Sequence, residues 1–563
     1  MKILRILLIL ALLFGLGLAV AMFFAFREPG VENHSVLKLT IHGELQEYRT
    51  AEGLEEAFGS PRPTLFSLFK LLKQAAHDKK LDGVILKIEP FGMGFAKMEE
   101  LRGLLAEVRA NGKWVWCYAD TFGEFGPSNG AYYLASAADR IVLNPAGELN
   151  LVGLNAEVLF LRGTLDKLHI YPDFDHIEEY KTAMNTFTEK TMTAPHREMM
   201  EALVNGLFDK MVADIAKARK LDPTALRALI DGGPMGAKRA LETKLVDQLA
   251  HPEEFEDAVK QKTGGELNLV AAADYPVDAF ESGPKIAVIY GMGPIFVGSS
   301  SSSPFDDSAN MGSTTYAKAF KAVRKDESIK AVIFRVDSPG GSAIASELIR
   351  HQLVLTRKEK PVVVSMGDVA GSGGYWVSMS ADRILAQPGT LTGSIGVVVG
   401  KFNTRAFWGD LLGITYDTVK AGANADIYSS LQNFTPEQKA AVRRFMEDIY
   451  EDFVNNVAEG RKIPVDEVRR IGKGRVYTGI EGLDLKLVDR LGGLDAAIEE
   501  ARKLAKLPAD GEVTLVPYPR KKSFMELIMK KQKGELKTAI DYIRSGAMMP
   551  TGTLWCPYTI TLR

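Results

Sequence analysis

Ser372 stands in Gly367-Asp368-Val369-Ala370-Gly371-Ser372-Gly373-Gly374-Tyr375-Trp376, directly after the strand-like run PVVVSM. A serine on a glycine-flanked turn between a strand and a helix is exposed for nucleophilic attack. It also sits among free backbone N–H groups, at a helix start that favours developing negative charge. Gly-Ser-Gly-Gly by itself is a weak signal and reads first as a plain strand-to-helix turn. A second glycine element, Asp337-Ser338-Pro339-Gly340-Gly341-Ser342, follows the strand AVIFRV and precedes another helix. In a parallel sheet both turns emerge at the strands' carboxyl ends, where such folds place their sites. There the N–H groups of Gly340 and Gly341, with that of Gly373, can hold a carbonyl oxygen. The alternative is a helix-start turn that needs Gly-Gly only for its geometry.

A nucleophilic serine needs a proton acceptor. No histidine accompanies the Ser372 motif, and His351 lies in the helix after Gly341. A distant Ser-His-Asp partner stays open, with nothing positive behind it. Asp337 reads as a turn-starting residue rather than a triad acid. No P-loop, HExxH or cysteine-rich zinc pattern is present, so neither a cofactor nor a metal is expected. The two cysteines, Cys117 and Cys556, build no disulfide framework, and Cys117 reads as a buried small hydrophobe.

The elements that must position these residues occur twice. The opening strands Val36–Gly43 and Ile286–Gly293 correspond. DKKLDGVILKIEPFGMG from Asp78 corresponds to KDESIKAVIFRVDSPGG from Lys325. Tyr132-Tyr133 to Ile141 corresponds to Tyr375-Trp376 to Ile384, and TKLVDQL (Thr243–Leu249) to LKLVDRL (Leu485–Leu491). The offsets stay within about 242 to 250, and four segments in register define a duplication. In each copy short apolar runs alternate with helical patterns, which implies βαβ units and a mostly parallel sheet. In the second copy Ala331–Val336 and Pro361–Met366 are strands, bracketing an amphipathic helix over Ser342–Arg357. Asp139-Arg140 and Asp382-Arg383 recur in both copies, so their role is structural.

At 563 residues more than one domain is required. With 69 Lys+Arg against 71 Asp+Glu the chain has no nucleic-acid footprint. Lys2 and Arg5 precede an uncharged run from Ile6 to Phe26, long enough to cross a bilayer with the bulk of the chain outside the cytoplasm. This run reads as an uncleaved anchor; the competing reading is a signal peptide cleaved after Ala19-Val20-Ala21. The division expected is an anchor over 1–34, a first repeat over 35–262, a linker over 263–284, a second repeat over 285–505 and a tail over 506–563. The serine-rich stretch Gly298–Gly312 is expected to be a mobile loop. The stretch Arg520–Arg544 reads either as a basic amphipathic helix touching lipid or as a solvated one.

GDVAGSGGYW, RVDSPGGS, LTGSIGV (Leu391–Val397), GRVYTG (Gly474–Gly479) and LVDRLGG (Leu487–Gly493) resemble the long, duplicated signal peptide peptidases, also called protease IV. The resemblance implies a ClpP/crotonase-like α/β fold in tandem and a serine–lysine dyad. The family's lysine lies in a Tyr-Lys-(Ser/Thr)-Ala segment of the first copy, here Tyr180-Lys181-Thr182-Ala183, so it falls on Lys181. Ser394 is a candidate to hydrogen-bond it, or else a turn cap. The repeat alignment agrees: Asn129 falls opposite Ser372 and Gly422 opposite Lys181, although a one-residue shift would bring Ser128 to the nucleophile's place. Lys190 and Lys420 are read as solvated. The resemblance further implies cleaved signal peptides and other apolar peptides as substrates, the inner membrane of a bacterial-type cell as location, and a homotetramer. The competing functions are a crotonase-type acyl-CoA hydrolase or isomerase, and a catalytically inactive membrane scaffold.

Overall fold

A computed structural model describes residues 31–51, 62–124, 126–301 and 309–523, together with the backbone of 553–555. The expected anchor, residues 302–308 of the Gly298–Gly312 loop, Cys556 and most of the Arg520–Arg544 stretch lie outside the described residues. Among the described residues no helix is long and apolar enough to cross a membrane.

The first repeat is built on β1 (Ser35–Glu44), β2 (Leu81–Gly92), β3 (Trp114–Ala119) and β4 (Arg140–Leu143). Helices α1 (Leu65–His77), α2 (Phe95–Ala110) and α3 (Asn129–Ala135) connect them. It continues through β5 (Tyr171–Ile177), the long α4 (Ala194–Arg219) and β6 (Gln248–Leu249). With β7 (Asn268–Ala271) the sheet order is β6-β4-β3-β2-β1-β7, parallel throughout. The second repeat follows the same course. It comprises β8 (Lys285–Met292), β9 (Ile329–Ser338), β10 (Gly340–Ser342), α5 (Ala343–Arg357), β11 (Val362–Gly371) and α6 (Gly373–Trp376). Then come β12 (Arg383–Ala386), β13 (Leu391–Gly393), β14 (Val397–Asn403), α7 (Pro436–Arg461), β15 (Val476–Thr478), β16 (Arg490–Leu491), α8 (Leu494–Leu504) and β17 (Thr514–Tyr518). Its sheet runs β15-β13-β11-β9-β8-β17, with β12 beside β11 and β16 beside β12.

Both sheets therefore take an edge strand, β7 and β17, from stretches that the sequence reading leaves outside the repeats. Four and five residues long, neither carries a periodicity that separates it from a linker. The strands and helix expected between Ala331 and Met366 are present with slightly longer strands, and Ser342 caps α5 by accepting from the Ala345 N–H. The recurring aspartates do the same work in each copy. Asp139 accepts from the Val115 N–H and pairs with Arg109; Asp382 accepts from the Val362 N–H and pairs with Arg357. Cys117 is fully buried in β3.

The repeats are not independent bodies. Along β8, Ile286, Val288 and Tyr290 join a core that includes α1, α2 and the first sheet, while Ala287 and Ile289 face the second repeat's own helices. A strand buried on both faces reads as continuously apolar, as β8 does.

Candidate functional site

Ser372 joins β11 to α6 at φ 56° and ψ −116°, a left-handed backbone that costs a non-glycine residue about 1–3 kcal/mol. Its N–H donates to the Gly393 carbonyl at 2.8 Å, which ties the turn to β13. Two expectations need correction. Ser372 is wholly buried rather than exposed, because the Gly340-Gly341 turn, Ser394 and Lys181 close around it. The helix that follows it is a single turn, so no appreciable macrodipole stands behind the serine and only its N–H groups remain.

The lysine arrives from the other repeat. Strand β5 pairs antiparallel with β14, Ile177 opposite Val397, and so sets the end of a first-repeat strand beside the Ser394 turn of the second. Beyond that end, Lys181 Nζ lies 2.8 Å from Ser372 Oγ, 2.9 Å from Ser394 Oγ and 3.0 Å from the Ser394 carbonyl oxygen. The side chain is 1 % exposed. The sequence expectation of a Ser372–Lys181 pair with Ser394 beside it is thus realised in space.

The segment Lys473–Arg475 holds this arrangement together, a role the sequence does not announce. The Tyr180 N–H donates to the Lys473 carbonyl, Gly474 donates to Ile395, and Ser394 donates to Arg475. Gly474, at φ +76°, approaches so closely that an added Cβ would lie 2.4 Å from Lys181 N. A signal was available in the GRVYTG motif, but only three-dimensional proximity explains its glycine.

Around the turn of β10, the Gly340 N–H is taken up by Ser338 Oγ at 3.2 Å. Gly341 N lies 3.1 Å from where a Cβ on Gly373 would stand, so the two glycines line one recess beside Ser372. Asp337 does not cap its own turn as expected. Its carboxylate accepts from the Val369 N–H at 3.0 Å and pairs with Lys97 at 2.7 Å, because the first repeat supplies a buried cation there.

The rival residues sit elsewhere. Lys190 pairs with Asp166 and Lys420 with Asp426 near the surface, and His351 is exposed. Ser128 Oγ donates to the Phe122 carbonyl, and Asn129 ties down the backbone of residues 152 and 153. Gly422 lies in an exposed stretch with open space around it.

A short strand, β18 (Thr553–Trp555), runs antiparallel to β10, with Gly340 opposite Trp555, Gly341 opposite Leu554 and Ser342 opposite Thr553. On its other side Thr553 stands opposite Val398 of β14, also antiparallel. The chain's own backbone thus fills the gap between β10 and β14, beside the glycine turn.

The fold and site define an α/β protein of parallel sheets in which a buried serine meets a buried lysine. Comparison with known proteins then gives the family. The model for peptidase family S49 matches residues 107–265 and 355–508. Protease 4 of Salmonella typhi is 33% identical over 85% of this chain and 77% of that protein. Protease 4 of Haemophilus influenzae is 30% identical over 86% of this chain and 82% of its own length. The chloroplastic serine protease SPPA of Arabidopsis thaliana is 29% identical over 89% and 73%. The chain belongs to peptidase family S49 and is a serine peptidase of that family.

Proposed function

We propose that the protein is a membrane-anchored endopeptidase that degrades cleaved signal peptides and other apolar peptides through a Ser372–Lys181 dyad. The observation that carries the reading is the 2.8 Å contact between Lys181 Nζ and Ser372 Oγ, made across the two repeats. A lysine removed from water favours its neutral amine, and two hydroxyls and a carbonyl oxygen of described residues lie 2.8–3.0 Å from Nζ. As a neutral base Lys181 takes the Ser372 proton while Oγ attacks the scissile carbonyl, then returns it to the leaving amine. Water hydrolyses the acyl-enzyme with the same base. The N–H groups of Gly341 and Gly373 receive the oxyanion; Gly340 shapes the turn, its own N–H being engaged by Ser338. Ser394 orients the amine through its hydroxyl and carbonyl. A fluorophosphonate should label Ser372 and stop hydrolysis of an apolar peptide, and Ser372→Ala should lose both reactions. Hydrolysis surviving in Ser372→Ala would sink the dyad.

The substrate chain is expected to bind as an antiparallel strand on β10, in the place that β18 occupies, since main-chain pairing accepts many sequences. Substrate and β18 then compete. A chain ending at Ser523 should show a KM for peptide lowered roughly two- to tenfold, as expected on removing a tethered competitor at millimolar effective concentration, with kcat unchanged. An unchanged KM would place the substrate elsewhere.

Membrane attachment rests on the apolar run Ile6–Phe26, and the tetramer on an asymmetry of the repeats. Strand β14 of the second repeat is covered by β5 of the first. The counterpart of β14, residues 154–160, and the stretch 414–420 shortly before Gly422 are not strands, and they expose Leu159 (66 %) and Val419 (98 %). Pairing 414–420 of one chain with 154–160 of the next repeats the internal contact head to tail and closes a ring. Val419→Asp should reduce the particle mass to that of one chain in light scattering, and retention of the larger mass would reject this contact.

A further inference from the structure

The first repeat meets the underside of the second through charges that are almost wholly buried. Helix α2 presents Lys97 and Glu100 on one face, and β9 presents Arg335 and Asp337 on one face, with the signs crossed. Arg335, 1 % exposed, is held by Glu47 through two bonds of 2.9 Å, by Glu100 at 2.7 Å and by Ser365 Oγ at 2.8 Å. Glu100 also accepts from the Leu494 N–H. This part of the contact is a lock between the repeats.

Lys97 is placed differently. Its Nζ lies 2.7 Å from Asp337 and 3.1 Å from Asp368. Asp337 opens the Ser338–Gly341 turn, and Asp368 stands on the strand that ends at Ser372. The two segments are tied again where Asp337 accepts from the Val369 N–H. Asp368 in turn caps α2 from the other repeat, accepting from the N–H groups of Gly94 and Lys97 at 3.0 Å each. Gly94 must be a glycine for this, since an added Cβ would fall 2.2 Å from Asp368 Cγ. Counted back from the equivalent arginines Arg109 and Arg357, Lys97 falls opposite Ala345, so the cation is not part of the repeated framework.

We propose that Lys97 is a positioning residue: its ammonium pins the glycine turn to the nucleophile strand and so sets the distance between Ser372 and the N–H groups that receive the oxyanion. The proposal rests on the dyad reading above. It gives the first repeat two lysines of opposite character. Burial works against the charge of Lys97, but the carboxylates of Asp337 and Asp368 outweigh it and raise its pKa well above the usual lysine range. Asp337 is correspondingly held below the ordinary range: its burial acts upward, and the Lys97 charge overrides it. An ammonium so held is a fixed strut rather than a base.

The test is steady-state peptide hydrolysis by the full chain, with active sites counted by exhaustive fluorophosphonate labelling. For Lys97→Met, kcat per labelled site should fall at least about tenfold, as for a small misplacement of reacting groups, with KM within twofold of the parent. Lys97→Met/Asp337→Asn should regain part of that loss, because the amide removes the repulsion and still accepts from Val369. A merely structural lysine would lower the number of labelled sites and leave kcat per site at the parental value; that result, or a double variant no better than the single one, would overturn the proposal. Should Lys97→Met not fold, the double variant carries the test alone: reduced kcat at constant KM supports the strut, and parental kcat rejects it. Failure of the dyad reading is separately visible, as a parent whose Ser372 does not label.

Discussion

Lys181→Met is expected to lower kcat/KM for peptide hydrolysis by about 10³-fold or more while leaving the protein folded, at the upper end of what general acid–base catalysis contributes. Methionine nearly matches the lysine stem in length and fills the same buried space, which Gly396 borders at Lys181 Cδ. The buried position therefore loses an amine without gaining a cavity. What is left behind is the Ser394 carbonyl, which loses the donor at 3.0 Å. An unsatisfied buried acceptor costs about 1–3 kcal/mol, a burden the tightly interlocked repeats can carry. Thermal unfolding should shift modestly while hydrolysis collapses. Labelling of Ser372 by a fluorophosphonate should slow in parallel, because that reaction also requires deprotonation of Oγ. A Lys181→Met enzyme within tenfold of the parent would mean that the proton goes elsewhere. Neither His351 nor His196 is placed to substitute: His351 is exposed, and His196, kept well below the usual histidine range at about 4 by burial, lies in α4 beside Asn185.

The sequence carried the strand-to-helix turn at Ser372 and the matching order of elements in the two halves, because each is written in a local motif or in a repeat. Four features were not legible, each for a physical reason. The pairing of β5 with β14 joins stretches more than 200 residues apart, and no local pattern specifies the partner of an edge strand. Asp337 looked like a turn residue because its true partner, Lys97, stands in an ordinary amphipathic helix of the other repeat. The exposure expected of Ser372 was inferred from turn chemistry alone, and closure by Lys181 and Ser394 is a tertiary event. The short strands β7 and β17 failed for want of length. In the first three cases the missing information is a contact between repeats, the level at which this site is assembled.

Gly474 tests that assembly directly, since its nearest neighbours are atoms of Lys181 rather than of Ser372. At φ +76° it occupies a conformation that costs an L-residue roughly 1–2 kcal/mol, and an alanine Cβ there would lie 2.4 Å from Lys181 N and 2.7 Å from its Cα and Cβ. The first two are backbone atoms of the lysine and Cβ is fixed to them, pinned through the Tyr180–Lys473 bond, so the overlap can be relieved only by moving Lys181 or the Lys473–Arg475 bridge. Either movement draws Nζ away from Ser372 Oγ or shifts Ser394, which donates to Arg475. Gly474→Ala is accordingly expected to lower kcat by about 10²-fold, the scale of a displacement near 1 Å, with KM little changed. The backbone strain can be separated from the displacement by Gly112→Ala. Gly112 has φ +83° and nothing within 4 Å of an added Cβ, so it suffers the conformational cost alone. That control should lose some stability and keep its kcat. If Gly474→Ala behaves like Gly112→Ala, the bridge does not position the lysine. A selective loss of kcat in Gly474→Ala, with unfolding shifted no more than in the control, means that the second repeat provides the nucleophile and also sets the reach of the first repeat's base.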